Sequence, residues 1–264
     1  MKVPILFGLV VIVLGAGPGL SGCAGRNEPP PAAVAPSPIS DLYAGSPYLG
    51  ELRNTVVYGE IWERPQLSKR DRSLITVAVL QALVRDELSI HIPRGLDNGL
   101  TPAEISEIIL HVTFYAGWPT GVQASVMAAE VFEGRGLSIG PLALAPSAAE
   151  RPPVPASATG AYAAVPRLGE LRNSVLYGDV WERPQLSKRD RSLITVAVLQ
   201  AMYRTSELRT HIGRALDQHG ATPQEVSEVI LHVTFYAGWP AAVNAGRLAA
   251  EAFEERGVEL SELE

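Results

Sequence analysis

The chain has 264 residues, which leaves room for one or two domains. Apolar residues make up 47% of the sequence and charged residues 19%, a balance typical of an ordered globular protein. The net charge of −6 argues against a nucleic-acid-binding surface. The single cysteine, Cys23, excludes an internal disulfide framework, a cysteine-based metal site and a CxxC redox pair.

Residues 1–22 resemble a secretory signal peptide that ends in a bacterial lipobox. A basic start is followed by an apolar run, residues 5–15, that is too short to span a bilayer comfortably. Small residues then precede Cys23, so we expect this cysteine to become the lipid-modified first residue, held in the membrane by several acyl chains. An ordinary signal peptide with a chance cysteine is the alternative. Ala24, where an aspartate would signal inner-membrane retention, favours the outer membrane facing the periplasm.

The rest of the chain contains one domain written twice. The segment WERPQLSKRDRSLITVAVLQA occurs at residues 62–82 and again, letter for letter, at 181–201. LHVTFYAGWP likewise occurs at 110–119 and 231–240. The unit is far longer than the period of a solenoid, so the pattern predicts two globular repeats.

Two stretches rich in proline and alanine separate these units from their surroundings. We interpret residues 23–45 as a tether and residues 137–165 as a linker between the repeats. Repeat one then occupies residues 46–136 and repeat two residues 166–264.

The apolar periodicity within each repeat is helical, and no segment alternates with period two for long. Ser68, with Asp71 three residues later, is a candidate helix N-cap. The helix that follows should turn an apolar face to the core, formed by Leu74, Ile75, Val77, Ala78 and Leu80.

Further start and stop signals divide the rest of the repeat. A second helix is expected from about Asp86 to Asn98, with Gly99 as its stop. Thr101-Pro-Ala-Glu is a strong helix start, and Gly117-Trp-Pro should break that helix before a last one begins. The sequence therefore predicts an all-α protein with about five or six helices in each repeat.

Two histidines recur at matching places in the repeats. Glu87 and His91 are four residues apart on one helix, where the carboxylate could orient the imidazole and raise its basicity; Glu207 and His211 repeat the pair. An isolated pair of this kind is often only a surface ion pair. The surrounding segment differs substantially between the repeats while the Glu and His persist, which favours these histidines as functional residues.

The next helix carries a second set of candidates, spaced by four so that they form one stripe. In repeat one the stripe is Glu107, His111 and Tyr115, and in repeat two it is Glu228, His232 and Tyr236. A histidine in an otherwise apolar helix is also common as a hydrogen-bonded core residue.

One arginine in each repeat lies among apolar neighbours, Arg72 and Arg191. A guanidinium there suits a substrate carboxylate held in a bidentate fork, and equally suits a buried structural ion pair. We expect no metal site, because no HExxH motif or third ligand at a convincing spacing accompanies the histidines. Trp62 and Trp118 are interpreted as core or interface packing residues, with substrate stacking as the alternative.

The ordered series RSLITVAVLQAL, ELxxH and NGxTPAEISEIILHVxxYAGWP resembles the carboxymuconolactone decarboxylase family and the wider alkylhydroperoxidase-D-like fold, over nearly the whole of both repeats. The resemblance implies all-helical units that assemble as trimers or hexamers. A two-repeat chain would stand in for a dimer, and three chains would imitate a hexamer. It also implies cofactor-free decarboxylation of a γ-lactone that carries a carboxylate.

The peroxidase branch of that fold uses a CxxCxxxH motif, and the present sequence departs from it. His91 matches the histidine, but Val84 and Glu87 stand at the cysteine positions, as do Arg204 and Glu207 in repeat two. A thiol peroxidase needs a thiolate and a resolving partner, so this activity is not expected.

We therefore predict a lyase that works by acid–base chemistry, without a cofactor, on a small carboxylated lactone or unsaturated acid. The catalytic candidates are His91, His211, Glu87 and Glu207. The substrate-binding candidates are Arg72, Arg191, His111, His232, Tyr115 and Tyr236. The expected partners are the small carboxylate, the membrane through the lipid anchor, and further copies of the chain. A non-catalytic binding or scaffolding lipoprotein on the same fold is the alternative.

Overall fold

The computed structural model describes residues 42–140 and 160–263. The predicted signal peptide, the lipidation site at Cys23, most of the tether and the middle of the linker lie outside the described residues. Both repeats belong to one compact unit, Tyr48–Glu264. The described residues that precede this unit form a turn, closed by a hydrogen bond of 2.9 Å from the Ser46 N–H to the Tyr43 carbonyl.

Each repeat contains five α-helices, and no β-strand occurs in residues 42–140 or 160–263. In repeat one they are α1 (Pro47–Leu52), α2 (Lys69–Ala82), α3 (Leu88–Asp97), α4 (Pro102–Ala116) and α5 (Trp118–Gly134). In repeat two they are α6 (Pro166–Leu171), α7 (Lys188–Ala201), α8 (Thr205–Gln218), α9 (Pro223–Ala237) and α10 (Trp239–Glu254). A π-helical turn follows α1 (Arg53–Val57) and α6 (Arg172–Tyr177), and a 3₁₀ turn precedes α2 (Ile61–Glu63) and α7 (Val180–Glu182). The all-α prediction is confirmed.

The helix ends follow the signals in the sequence. The Ser68 side chain caps α2 by accepting a hydrogen bond of 3.1 Å from the Asp71 N–H. Thr101 and Glu104 form a reciprocal capping box at the start of α4. Gly117, with φ of +97°, ends α4, and α5 begins at the next residue. This left-handed conformation is one that glycine adopts without a steric penalty.

Helices α2 and α7 lie at the centre of the molecule and pack against each other. Helix α2 also packs against α9 of the other repeat, and α7 packs reciprocally against α4. The apolar residues predicted for the core face of α2 are all buried, and so are polar residues on its other sides, such as Arg72, Thr76 and Gln81. The two repeats therefore share one continuous core, and α2 is covered on every side.

Reciprocal ion pairs join the starts of the two central helices. Arg70 donates to Asp190 at 2.9 Å, and Arg189 donates to Asp71 at 3.0 Å. The same contact made twice, with the repeats exchanged, is the arrangement of a two-fold symmetric dimer within one chain.

Candidate functional site

The stripes on α4 and α9 cross from one repeat to the other. Glu228, His232 and Tyr236 lie on one face of α9, as their spacing predicts, and that face contacts α2 and Trp62 of repeat one. The stripe on α4 contacts α7 and Trp181 of repeat two in the same way. We name each site after the repeat that supplies its tryptophan. The repeat-one site contains Tyr58, Trp62, His91, His232 and Tyr236, and the repeat-two site contains Tyr177, Trp181, His211, His111 and Tyr115.

A buried ion pair supports the repeat-one site from below. Arg72, with no exposed side-chain surface, donates to Glu228 at 2.8 Å and to the Arg64 carbonyl at 2.7 Å. The second oxygen of Glu228 accepts from Arg64 at 3.0 Å. Both oxygens of the Glu228 carboxylate are bound by arginines of repeat one, so this cluster holds α9 against repeat one.

The repeat-two site has the same support. Arg191 donates to Glu107 at 3.1 Å and to the Arg183 carbonyl at 2.8 Å, and Arg183 donates to Glu107 at 2.6 Å. The sequence offered Arg72 and Arg191 either as anchors for a substrate carboxylate or as buried structural partners. The structure gives each of them an internal carboxylate and no exposed surface, which is the second arrangement.

The histidines of the α4 and α9 stripes are fully buried, and we call them the inner histidines. His232 Nε2 lies 2.9 Å from Thr76 Oγ1, and Thr76 donates its only hydroxyl proton to the Arg72 carbonyl at 2.7 Å. The hydroxyl oxygen must therefore accept from His232, so the proton of the neutral imidazole resides on Nε2. His111 and Thr195 repeat the geometry at 2.9 Å.

The protein holds these inner imidazoles in the neutral form. Burial, aided by the positive charge of Arg72, lowers the pKa of His232 to about 3. Burial and Arg191 also lower the pKa of His111 well below its usual value. These side chains fit a structural role and, in the absence of ligand, have no exposed surface for a substrate to contact.

His91 on α3 and His211 on α8, the outer histidines, stand differently. His91 meets Tyr236 edge-on with 5.6 Å between ring centroids, and His211 meets Tyr115 at 5.7 Å. Each is 8% exposed, and neither imidazole hydrogen-bonds to a side chain or backbone group of residues 42–140 or 160–263. In the described residues, their nitrogens therefore have no protein partner, unlike those of the inner histidines.

Burial and neighbouring cations keep the outer histidines neutral. The pKa of His91 is lowered to about 4, first by burial and then by Arg94 and Arg53. The pKa of His211 is also lowered to about 4, first by burial and then by Arg214 and His219. At neutral pH both imidazoles are uncharged and face positive charge.

The glutamates predicted to orient these histidines lie at the surface. Glu87 is exposed at the start of α3, and its charge is not among the causes of the His91 pKa shift. Glu207 is also exposed; it accepts from the Ser206 hydroxyl at 2.9 Å and raises the pKa of His211 only as a minor opposing effect. Helical spacing placed each carboxylate one turn before its histidine, but the imidazole turns into the core and the carboxylate stays in solvent.

Two arginines that the sequence reasoning missed approach each outer histidine. In repeat one, the guanidinium carbons of Arg53 and Arg94 lie 4.6 and 4.9 Å from the centre of the Tyr58 ring, and Arg94 donates to the Tyr58 hydroxyl. Both arginines are only partly buried. This pair, and not Arg72, offers charge to a ligand beside His91.

Repeat two supplies the same pair as Arg172 and Arg214. Arg214 donates to the Tyr177 hydroxyl at 2.6 Å, and the Arg172 guanidinium lies 4.7 Å from the centre of that ring. The sequence contained a signal for both, since an arginine follows each outer histidine by three residues and ELRN recurs before each tryptophan. Residues three apart on a helix share a face.

The tryptophans connect the inner and outer parts of each site. Trp62 donates its indole N–H to Tyr236 at 3.1 Å, and Trp181 donates to Tyr115 at 3.0 Å. Both indoles are buried, as expected for packing residues. Trp118, expected to pack as well, is 69% exposed. A cavity of about 380 Å³ adjoins Trp181 and is lined by Tyr177, Arg172 and Arg214, a size suited to a small molecule.

Metal-ligand clusters and membrane-spanning helices are both absent from residues 42–140 and 160–263. No group of three or more His, Cys, Asp or Glu side chains there is arranged to hold a metal ion. None of the helices in that part is both long enough and apolar enough to cross a bilayer.

The family of the chain is shown by its similarity to known proteins. The sequence profile of the carboxymuconolactone decarboxylase family matches residues 47–130 and again residues 166–252. The chain belongs to this family. The two matched stretches contain every side chain of both sites, so the resemblance in the sequence is confirmed.

Two curated relatives carry decarboxylase names. The chain is 48% identical over 82 residues to 4-carboxymuconolactone decarboxylase of Acinetobacter baylyi, a match that covers 31% of this chain and 61% of the relative. It is 33% identical over 78 residues to nitrosuccinic acid decarboxylase of Metarhizium robertsii, covering 29% of this chain and 54% of the relative. The matches thus span a little over half the length of each relative.

Proposed function

We propose that this chain is a decarboxylase of small carboxylated acids, with one site in each repeat, and that the outer histidines deliver the proton to carbon. The observation that carries the proposal is the pairing of an unbonded, neutral imidazole with two partly exposed arginines at each site. The family and the names of both relatives support the reaction type.

The arginines would bind the substrate carboxylates. Arg53 and Arg94 in repeat one, and Arg172 and Arg214 in repeat two, present planar donors that match carboxylate oxygens. The tyrosine hydroxyl between each pair fixes one guanidinium in place before the ligand arrives. Such preorganisation reduces the entropy lost on binding.

Binding of an anion would change the protonation of the outer histidine. The cations that lower its pKa become paired with the ligand, and a negative charge now stands beside the imidazole. Both changes favour the charged form. The site therefore takes up a proton with its substrate, and the resulting imidazolium is the acid that the reaction needs.

The chemical step follows from this charge state. The bond between the substrate carbon and its carboxylate breaks, CO₂ leaves, and the electron pair passes into the adjacent unsaturated or carbonyl system. The imidazolium of His91 or His211 then transfers its proton to the carbon, which completes the product and restores neutral imidazole. Solvent supplies the proton for the next cycle, so the proposed cycle contains no cofactor.

The inner residues would hold this machinery in position. Tyr236 and Tyr115 pack against the outer imidazoles, and each tyrosine is in turn fixed by an indole N–H. Burial raises the pKa of both tyrosines far above the usual value, so their hydroxyls remain protonated. The buried Arg–Glu pairs then fix the helices that carry these tyrosines.

The test is CO₂ release by the full chain from 4-carboxymuconolactone, with nitrosuccinic acid as a second substrate. The double variant His91→Ala, His211→Ala should lose about 10²–10⁴ in kcat, the usual contribution of a positioned acid or base. Ile90→Ala with Thr210→Ala, at exposed positions on the same helices, is the matched control and should keep its rate.

Two further readouts separate this mechanism from its rivals. Calorimetry of ligand binding in buffers of different ionisation enthalpy should show proton uptake that disappears in the double histidine variant. Equal rates in wild type and double variant would remove the histidines from the mechanism. Ligand binding without turnover of either acid would favour a non-catalytic binding protein.

A further inference from the structure

The two repeats place different side chains against matching serines of the central helices α2 and α7. In repeat one, Asn98 donates its amide to Ser73 at 2.9 Å. In repeat two, where the loop is one residue longer, His219 Nδ1 lies 2.6 Å from the Ser192 hydroxyl oxygen. Ser73 and Ser192 occupy the same position in the identical segments. A titratable ring therefore stands in the repeat-two site where the repeat-one site has a neutral amide.

The His219 ring is held in a defined orientation. Its centroid lies 5.1 Å from that of Trp181, whose indole also stacks against the outer histidine His211. Ser192 binds Nδ1, while Nε2 has no hydrogen-bond partner in the part of the chain that the structure describes. One nitrogen is therefore fixed by the protein and the other remains for a ligand.

His219 lines the 380 Å³ cavity together with three cationic side chains, Arg172, Arg214 and Lys188. The carboxylate of Glu182, also in the lining, forms an ion pair with Lys188. In the described part of the chain, the arginines hydrogen-bond to neutral groups, the Tyr177 hydroxyl and the Asn173 side-chain oxygen. The cavity thus has a surplus of positive charge and of donors suited to an anion.

We infer that this cavity is a subsite for an additional acidic group of the ligand, that His219 binds this group, and that the repeat-two site therefore prefers a more highly carboxylated acid than the repeat-one site. The inference rests on the proposed function, since it assigns different ligands to two sites of one reaction type. His219 is a specificity-determining residue, and His211 remains the proton donor. The chemical class is a tricarboxylate, or a dicarboxylate with a further acidic substituent.

Calorimetric titration of the full chain with two matched probes tests the inference. Propane-1,2,3-tricarboxylate and glutarate share a carbon chain, and only the first carries the central carboxylate. Wild type should bind the tricarboxylate at two classes of site that differ in affinity by about 10-fold or more, since one additional hydrogen bond to a charged group changes affinity by that order. It should bind glutarate at two sites of similar affinity.

Substitutions then assign the tight class to the cavity. His219→Asn, which installs the residue of repeat one, should abolish the tight class and leave two similar sites. Asn98→Ala is the matched control and should keep the tight class. Arg214→Gln should remove it and Arg94→Gln should retain it. Thermal unfolding checks that each variant is folded, and the natural asparagine beside Ser73 indicates that His219→Asn will be tolerated.

The outcomes separate this inference from the proposed function. A chain that turns over 4-carboxymuconolactone but binds the tricarboxylate equally at both sites, or keeps the tight class in His219→Asn, overturns the inference alone. A chain that binds neither probe overturns the inference as well, and the turnover assay then decides independently whether the proposed function survives.

Discussion

The outer and inner histidines of this protein have similar pKa shifts and opposite surroundings. His91 and His232 lie in the same site, and burial lowers the pKa of one to about 4 and of the other to about 3. His232 is hydrogen-bonded to Thr76 and fully buried, whereas the His91 nitrogens have no partner among residues 42–140 and 160–263 and face two arginines. A shifted pKa therefore does not distinguish the two histidines, whereas the hydrogen bonding of the imidazole does.

The largest expected effect is on stability and comes from breaking the buried Arg–Glu pairs. Glu228→Leu should lower the free energy of unfolding by about 3–5 kcal/mol, because it leaves the Arg72 charge buried without its partner. Glu107→Leu should act alike in the other site. The exposed Glu87→Leu is the control and should change stability by less than about 0.5 kcal/mol. Urea unfolding measures the stability of all three variants. If Glu228→Leu loses no more stability than Glu87→Leu, the buried ion pairs do not have the structural role assigned to them.

Substitution of the arginines beside the outer histidines should weaken substrate binding and leave stability almost unchanged. Arg94→Gln together with Arg214→Gln should raise KM by about 10- to 100-fold, since each removes a charged hydrogen-bond donor to the substrate. The melting temperature should change little. Arg135→Gln, which breaks an exposed pair with Asp97, is the control. An unchanged KM would exclude these arginines as the carboxylate anchors.

The free energy of unfolding should decrease at acid pH, in part because His232 is buried in its neutral form. Because the folded pKa of His232 is about 3 and the unfolded value about 6.5, the unfolded chain binds the additional proton below pH 6.5. The contribution of neutral His232 to stability is therefore fully present above pH 6.5. As the pH decreases below 6.5, the free energy of unfolding decreases by about 1.4 kcal/mol per pH unit. His232→Gln should reduce the slope of unfolding free energy against pH by about 1.4 kcal/mol per unit between pH 6.5 and 4, while the other buried histidines keep their share of the slope. An unchanged slope would show that His232 titrates normally in the folded protein.

The sequence predicted the local structure well. Capping residues, the break at Gly117 and the helical spacing of Glu228, His232 and Tyr236 are set by interactions within a few residues, and the structure confirms them. The family could also be recognised, because its motifs recur in order in both repeats.

The partners of these side chains could not be predicted in the same way. Helical spacing shows that Glu87 and His91 share a face, but not that the face is divided between solvent and core. Nor does it show that the face of α9 packs on the other repeat, since α2 and α7 have identical sequences and the stripe on α9 could contact either helix. The role of Arg72 depends on that pairing, since its carboxylate partner Glu228 comes from the other repeat, and the sequence alone therefore left its role open.

The cross-repeat construction of the sites is tested most directly by pairing substitutions. His91→Ala should inactivate the repeat-one site, as should Tyr236→Ala, while Tyr115→Ala should inactivate the repeat-two site. Each single variant should keep the decarboxylase activity of the other site if the sites act independently. The decisive comparison is between His91→Ala, Tyr236→Ala and His91→Ala, Tyr115→Ala. We predict that the first pair keeps the activity of one site and the second pair has none, and the reverse result would contradict sites built from both repeats.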